Sequence, residues 1–300
     1  MRYRSAGAFR TALERRLQTL AEQGEIPLLR LRKLVVFDRL MARLLVVASD
    51  RWVLKGAVAL HFRVGPHFRT TKDLDIGRHD DEQASTADFR LAQSVDLGDY
   101  FTFAVQRTGK LDELLDGVAV RYHITAEVDG RRFEDVTVDV GFTDPLTVVP
   151  EILRGPDLLS FADIPPVAVP TLPLDQHVAE KVHAYTRAYA SHQPSTRVKD
   201  LIDLALISSL FPFQAGRLRR SLRSTFEKRG THSLPVVMPP TPPGWSLPYR
   251  KLAIEVGLPP EVAAGYQAAA AFLNPVLDEA LAEHMRWEPG QQGWSAVPEG

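Results

Sequence analysis

Apolar and polar residues alternate most clearly around Asp129-Gly130. Tyr122, Ile124, Ala126 and Val128 alternate with polar neighbours before that dipeptide, and Val136, Val138, Val140 and Phe142 do so after it. A period of two predicts two strands, and Asp-Gly between them predicts a tight hairpin turn. Asp135, Thr137 and Asp139 then take the face opposite the valines. A different period runs through residues 28–47, where Leu31, Leu34, Val35, Leu40, Leu44 and Leu45 recur at helical spacing among arginines. Helices are predicted over 8–22, 28–47, 80–95, 175–190 and 196–210, with an alanine-rich one near 260–285. "WVLKGAVALHF" predicts a strand that turns at Lys55-Gly56-Ala57 into a short helix, and "KDLDIGR" and "DYFTFAVQR" predict two further strands. Residues 144–173 carry seven prolines, predicting a linker, while "SHQPS" and residues 234–248 predict loops. Together these elements predict an α/β (α+β) fold, with a mixed-sheet domain over 1–160 and a helical domain over 161–300.

The absence of cysteine excludes disulfides and thiolate metal sites and fits a cytoplasmic protein. No apolar run is long enough to cross a membrane, and the amphipathic opening lacks the apolar core of a signal peptide. Charge is unevenly spread although the net value is −1. Residues 1–50 hold ten Lys/Arg against five Asp/Glu, residues 71–100 three against eight, and residues 214–232 six against one. An acidic centre between basic segments fits a cation-binding site flanked by surfaces for a polyanion. Solvated helix faces are the alternative for each basic segment.

Within the acidic stretch, "RTTKDLDIG" places Asp73 and Asp75 one residue apart on a strand, facing the same way. Like charges so placed repel and need compensation. Asp139 on the hairpin can join them if the two strands are neighbours. Three converging carboxylates suit Mg²⁺, which takes oxygen ligands and bridges to substrate phosphates. Two such ions can stabilise both the attacking and the leaving oxygen of an in-line phosphoryl displacement.

"VLKGAVALHFRVGPHFRTTKDLDIG", together with "DQHVAEKVHAYTRAY" and "TRVKDLIDL", resembles the AbiEii/AbiGii-type (MenT-like) toxin nucleotidyltransferases of the DNA polymerase β-like superfamily. The resemblance spans roughly residues 25–210 and implies a nucleotidyltransferase-fold domain followed by helices. It matches Gly56 to the turn glycine, where backbone approaches phosphate, and Ala57 departs from the Ser or Gly often found next. Asp73 and Asp75 match the metal-binding pair and Asp139 the third carboxylate, with Asp135 as an alternative. Lys181 matches the family lysine, and Asp203 or Asp200 the partnering aspartate. Lys55 and Arg69 flank the site and can meet triphosphate, or can be strand-end and structural cations. Lys181 can equally be a solvated surface lysine, and Asp200 part of a surface ion pair with Arg197 or Lys199.

The resemblance implies a toxin of a toxin–antitoxin pair that moves NMP from an NTP, with Mg²⁺ (two ions), to an RNA acceptor at the 3′ end of tRNA, blocking translation. Its partners would be NTP, tRNA and a cognate antitoxin, with no membrane. Transfer to a protein or small-molecule hydroxyl, and an inactive nucleotidyltransferase-fold binding module, stay open beside it. Thr71, two residues before Asp73, would face the same site from the strand. Its hydroxyl can reach triphosphate or bond nearby backbone, and phosphorylation there would repel NTP.

Overall fold

The computed structural model describes residues 1–24, 26–65, 68–69, 71, 73–111, 119–142, 149–187 and 197–296. The chain divides into two compact units, Met1–Leu172 and Pro173–Gly300. The predicted "SHQPS" loop, the end of the 175–190 helix and the start of the 196–210 helix lie outside the described residues.

In the first unit, two long helices, α1 (Ala6–Gln23) and α2 (Leu28–Val47), precede the short strand β1 (Val53–Lys55). Helix α3 (Gly56–Val64), strand β2 (Asp73–Gly77) and helix α4 (Glu82–Ser94) follow. Asp81 caps α4, its carboxylate accepting from the Ala84 amide at 2.8 Å. Strands β3 (Phe101–Leu111), β4 (Ala119–Val128) and β5 (Arg131–Gly141) form a meander. Asp129 and Gly130 both have positive φ, 58° and 62°, as the two-residue turn between β4 and β5 requires.

The main sheet has seven strands in the order β3-β4-β5-β2-β1-β7-β6, mixing parallel and antiparallel pairs. Its last two members, β6 (Glu151–Arg154) and β7 (Ala168–Thr171), correct the expected linker. Proline density argued for a connection because proline cannot donate to a ladder. The strands are short, however, and most of the prolines lie between or beyond them; Pro170 alone sits within β7, opposite Ile152 of the edge strand β6. Strand β7 pairs in parallel with β1 through Leu54 and Thr171.

One face of this sheet is the core. Leu54, Leu74, Ile76, Val120, Ile124, Val136, Val138 and Val140 are buried there with Leu31, Leu34, Val35 and Leu40 of α2. The residues between them in sequence point the other way, and that face carries the charged side chains of the site.

The second unit comprises α5 (Leu174–Thr186), α6 (Val198–Leu210), β8 (Phe213–Gln214), α7 (Ala215–Arg229), α8 (Ser246–Glu255), α9 (Val262–Leu277), β9 (Arg286–Glu288) and β10 (Gly293–Ser295). A three-stranded antiparallel sheet in the order β10-β9-β8 joins the expected helices. Trp287 is buried and donates its indole N–H to the Ser208 carbonyl at 2.7 Å. Trp294 stacks on Phe272 with ring centroids 5.9 Å apart. Both tryptophans are packing residues.

Candidate active site

The strand register builds a single row across four strands. Arg121 of β4 lies opposite Asp139 of β5, Asp139 beside Asp75 of β2, and Asp75 opposite Lys55 of β1. Register partners share a face, so two adjacent carboxylates are flanked by a cation on each side. Asp73 stands two residues along β2 on the same face. Asp135, the alternative third carboxylate, is opposite Thr125 and pairs instead with Arg132 and, at 3.4 Å, with His123. Asp139 is therefore the residue that the sheet brings to Asp75.

Gly56 begins α3 directly against this row. Its φ is +62°, in the left-handed region where a side chain is disfavoured. A Cβ there would come within 1.9 Å of the Asp75 Oδ2. Glycine is thus demanded twice over, by the turn and by the carboxylate behind it. Ala57 is buried. The Lys55 stem runs over Gly77, where an added Cβ would meet its Cδ at 2.9 Å.

Arg121 was not singled out by the sequence. Its Nε donates to Asp139 Oδ1 at 2.8 Å and its Nη2 to Asp139 Oδ2 at 2.7 Å, a bidentate fork. The hydrogen bond to Asp139 is the largest cause that raises the Arg121 pKa, followed by the charges of Asp139, Asp73 and Asp75. The guanidinium therefore feels all three carboxylates. Arg121 thus contributes to the compensation that the Asp-x-Asp pair requires.

Arg69 is buried, with its guanidinium carbon 5.3 Å from the Phe68 ring centroid. Thr71 lies just before β2 rather than on it. Its hydroxyl donates to the Asp73 carbonyl at 3.2 Å, the local backbone bond that was the alternative to phosphate contact.

Lys181, Asp200 and Asp203 form a second cluster within the second unit. The Lys181 Nζ donates to Asp203 Oδ2 at 2.5 Å and to Asp200 Oδ1 at 3.2 Å. Asp203 has no exposed surface, and Lys181 and Asp200 are also buried. The three-residue spacing on α6 puts both carboxylates on one face toward α5. Arg197 approaches Asp200 at 3.8 Å. Lys181 is thus a clamped, buried cation and not a solvated surface lysine.

The basic segments are engaged internally. Arg10 donates to the carbonyls of Val128, Arg131 and Arg132 at 2.7–3.0 Å, tying α1 to the hairpin. Arg43 is buried in a fork with Asp99 at 2.6 and 3.0 Å. On α7, Arg217 pairs with Asp175, Arg220 with Glu283 and Arg223 with Glu279, and Arg219 donates to the Leu281 carbonyl. Arg10 and Arg43 are held by structural partners distant in sequence, whereas the α7 pairs are solvent-exposed and weak.

The family model of the nucleotidyl transferase AbiEii toxin, type IV toxin–antitoxin system, matches residues 39–289. The chain belongs to this family. It is a nucleotidyltransferase, and the family implies an NTP substrate and an antitoxin partner. Solved structures similar to the chain include MenT4, a nucleotidyltransferase toxin from Mycobacterium tuberculosis, at 19% identity and a TM-score of 0.49, covering 83% of this chain and 92% of that one. A putative nucleotidyltransferase from H. pylori is 13% identical at a TM-score of 0.47, covering 83% and 98%. JHP933 from Helicobacter pylori is 13% identical at 0.46, covering 83% and 94%. No curated protein matches the chain. Among the described residues, no helix is long and apolar enough to cross a membrane.

AbiEii-type nucleotidyltransferases generally use a divalent metal. Asp73, Asp75 and Asp139 fit that group in donor chemistry and placement: oxygen ligands only, on one face of adjacent strands. Among the described residues, no three His, Cys, Asp or Glu side chains are already disposed around a metal position. At the carboxylate row both Asp139 oxygens are held by the Arg121 fork.

Proposed function

We propose that the chain is a cytoplasmic toxin that transfers NMP from an NTP to an RNA hydroxyl, at the 3′ end of tRNA, and so blocks translation. The observation that carries this reading is the Lys55–Asp75–Asp139–Arg121 row, with Asp73 beside it and the Gly56 turn against it. Asp73, Asp75 and Asp139 would hold two Mg²⁺ ions. Bound there, the metal supplies positive charge to the reacting phosphate and its leaving group.

The chain's own residues bind and orient. The backbone at Gly56 can approach triphosphate oxygens because no side chain intervenes. Lys55 and Arg69 add positive charge beside it. The acceptor oxygen bonds to the α-phosphorus, the bond from that phosphorus to the β-phosphate oxygen breaks, and pyrophosphate leaves. The acceptor proton passes to solvent or to a carboxylate of the row. Lys181, held by Asp203 and Asp200 within the second unit, is the further cation to which the family resemblance gives a catalytic role. A regulatory role for Thr71 requires it to face the site from the strand; its hydroxyl instead bonds the Asp73 carbonyl, so Thr71→Glu is expected to act only through charge near the row.

Transfer to a protein or small-molecule hydroxyl is the second reading, favoured by the internal pairing of the α7 arginines. Incubation with each labelled NTP, Mg²⁺ and total tRNA, and then with protein alone, separates the readings. Label in tRNA supports the first, label in protein the second, and label in neither leaves the binding-module alternative.

A further inference from the structure

We propose that Arg121 is a built-in counter-cation that closes the carboxylate row in the metal-free protein and competes with the divalent ion for Asp139. The inference rests on the metal-binding reading above and adds a residue that sets how tightly the metal is held. Three observations carry it.

The first is geometry. The guanidinium takes both oxygens of Asp139, 2.8 and 2.7 Å away, and those are the atoms a cation would need. A bidentate fork occupies both oxygens at once, so Asp139 cannot serve a cation while the fork holds. The second is placement. Arg121 is the outer end of the row, and Asp139 stands between it and Asp75. Its backbone is pinned as well. Strand β3 bulges between Arg107 and Gly109 opposite this point, and the bulged Thr108 donates its hydroxyl to the Arg121 carbonyl at 3.2 Å. The third is exchangeability. The Arg121 side chain is 39% exposed, so it can leave for water without being buried alone. An ion pair this exposed is weak enough for a divalent ion to displace.

Two closed states follow from these facts. Without metal, Arg121 relieves the repulsion among Asp73, Asp75 and Asp139 and keeps the strands in register. With metal, Asp139 turns to the ion and Arg121 is released. Arg121 is therefore a positioning residue, and its effect should be read on metal affinity.

The experiment titrates Mn²⁺ into the full-length chain after chelator treatment and follows free Mn²⁺ by electron paramagnetic resonance. Wild type, Arg121→Gln, Arg121→Lys and Asp75→Asn are compared, with melting temperatures in the presence and absence of Mn²⁺. Arg121→Gln should bind Mn²⁺ several-fold to tenfold more tightly, and its metal-free form should melt lower. Arg121→Lys keeps the charge but lacks the fork, so it should also tighten binding, by less. Should Arg121→Gln not fold, Arg121→Lys alone decides. Unchanged or weaker binding in Arg121→Gln, or wild-type affinity in Arg121→Lys, overturns the proposal. If wild type and Asp75→Asn both bind no Mn²⁺, the metal reading itself fails and takes this inference with it.

Discussion

The two ionic clusters of the molecule are built from the same groups in opposite environments. The row at Asp75 and Asp139 is half-buried and joined to a side chain that is itself partly in water. The Lys181–Asp203–Asp200 cluster is buried, with Asp203 fully enclosed. In the first, water and the Arg121 fork share the work of compensation, so partners can be exchanged. In the second, solvent is nearly excluded, and each charge depends on the others. A ligand site needs the first arrangement, and a fixed scaffold for one cation needs the second. The contrast predicts that substitutions in one cluster will be read mainly as lost activity, and in the other as lost stability as well.

The largest effect should come from the buried cluster. Lys181→Ala leaves two buried carboxylates without their cation, and breaking such a group costs about 3–5 kcal/mol. Urea unfolding followed by tryptophan fluorescence checks this, since Trp245, Trp287 and Trp294 lie in the second unit and only Trp52 in the first. A Lys181→Ala protein as stable as wild type would mean that the two clusters do not differ in the way argued.

Asp73→Asn and Asp75→Asn should do the reverse. Each removes charge from a row of like charges, so stability should change by about 1 kcal/mol or less. Labelled NMP transfer should fall on the order of a hundredfold or more, because a ligand position is lost. Gly56→Ala should lose activity too, and folding stability as well, because its Cβ would strike the Asp75 carboxylate. Near-normal transfer by Asp75→Asn would move the site elsewhere.

A pH effect sharpens the comparison within the first unit. His61 on α3 is buried, and Arg30 of α2 donates to its Nδ1 at 2.9 Å. Burial first, and the Arg30 charge second, lower its pKa from 6.5 to about 4. The unfolded chain therefore binds a proton that the folded chain refuses between these values. Stability is fully present above pH 6.5 and falls as pH drops toward 4, by about 2 kcal/mol at pH 5. His61→Asn should flatten that part of the pH–stability curve, measured by denaturant midpoints from pH 7 to pH 5. An unflattened curve would assign the acid loss to other groups.

The smallest effect concerns α7. Arg217, Arg220 and Arg223 already face Asp175, Glu283 and Glu279. Their joint replacement by glutamine should change the salt slope of tRNA binding by less than about one unit, against roughly two to three if all three met phosphates. A loss of the larger size would show that the helix leaves its internal partners for RNA.

Much of the site is legible in the order of residues alone. Alternation placed Asp73, Asp75 and Asp139 on the outward faces of two strands, and the glycine after Lys55 marked the turn. Lys181 with Asp200 and Asp203 came from resemblance, and their burial was invisible to it. Arg121 was missed for a definable reason. Counting back from the two-residue turn puts it opposite Val138. The register shifts between Ala126 and Glu127, with Phe133 as the extra residue on β5, and only then does Arg121 meet Asp139. The clue was available, because Tyr122 and Ile124 share the core with Val136 and Val138 only after a one-residue slip.

The sequence by itself determined which residues of each strand face the core, because period-two alternation is a property of the local chain. It also determined that carboxylates would crowd one strand, and that the chain belongs with nucleotidyltransferases of the AbiEii family. Only the tertiary structure decided who neutralises whom. The excess of arginines in residues 1–50 looked like a surface for polyanions, yet Arg43 answers Asp99 and Arg10 answers the hairpin carbonyls. A proline-rich stretch became two strands because β1 offered an open edge. Charge pairing depends on distances between residues far apart in sequence, and those distances exist only once the chain has folded.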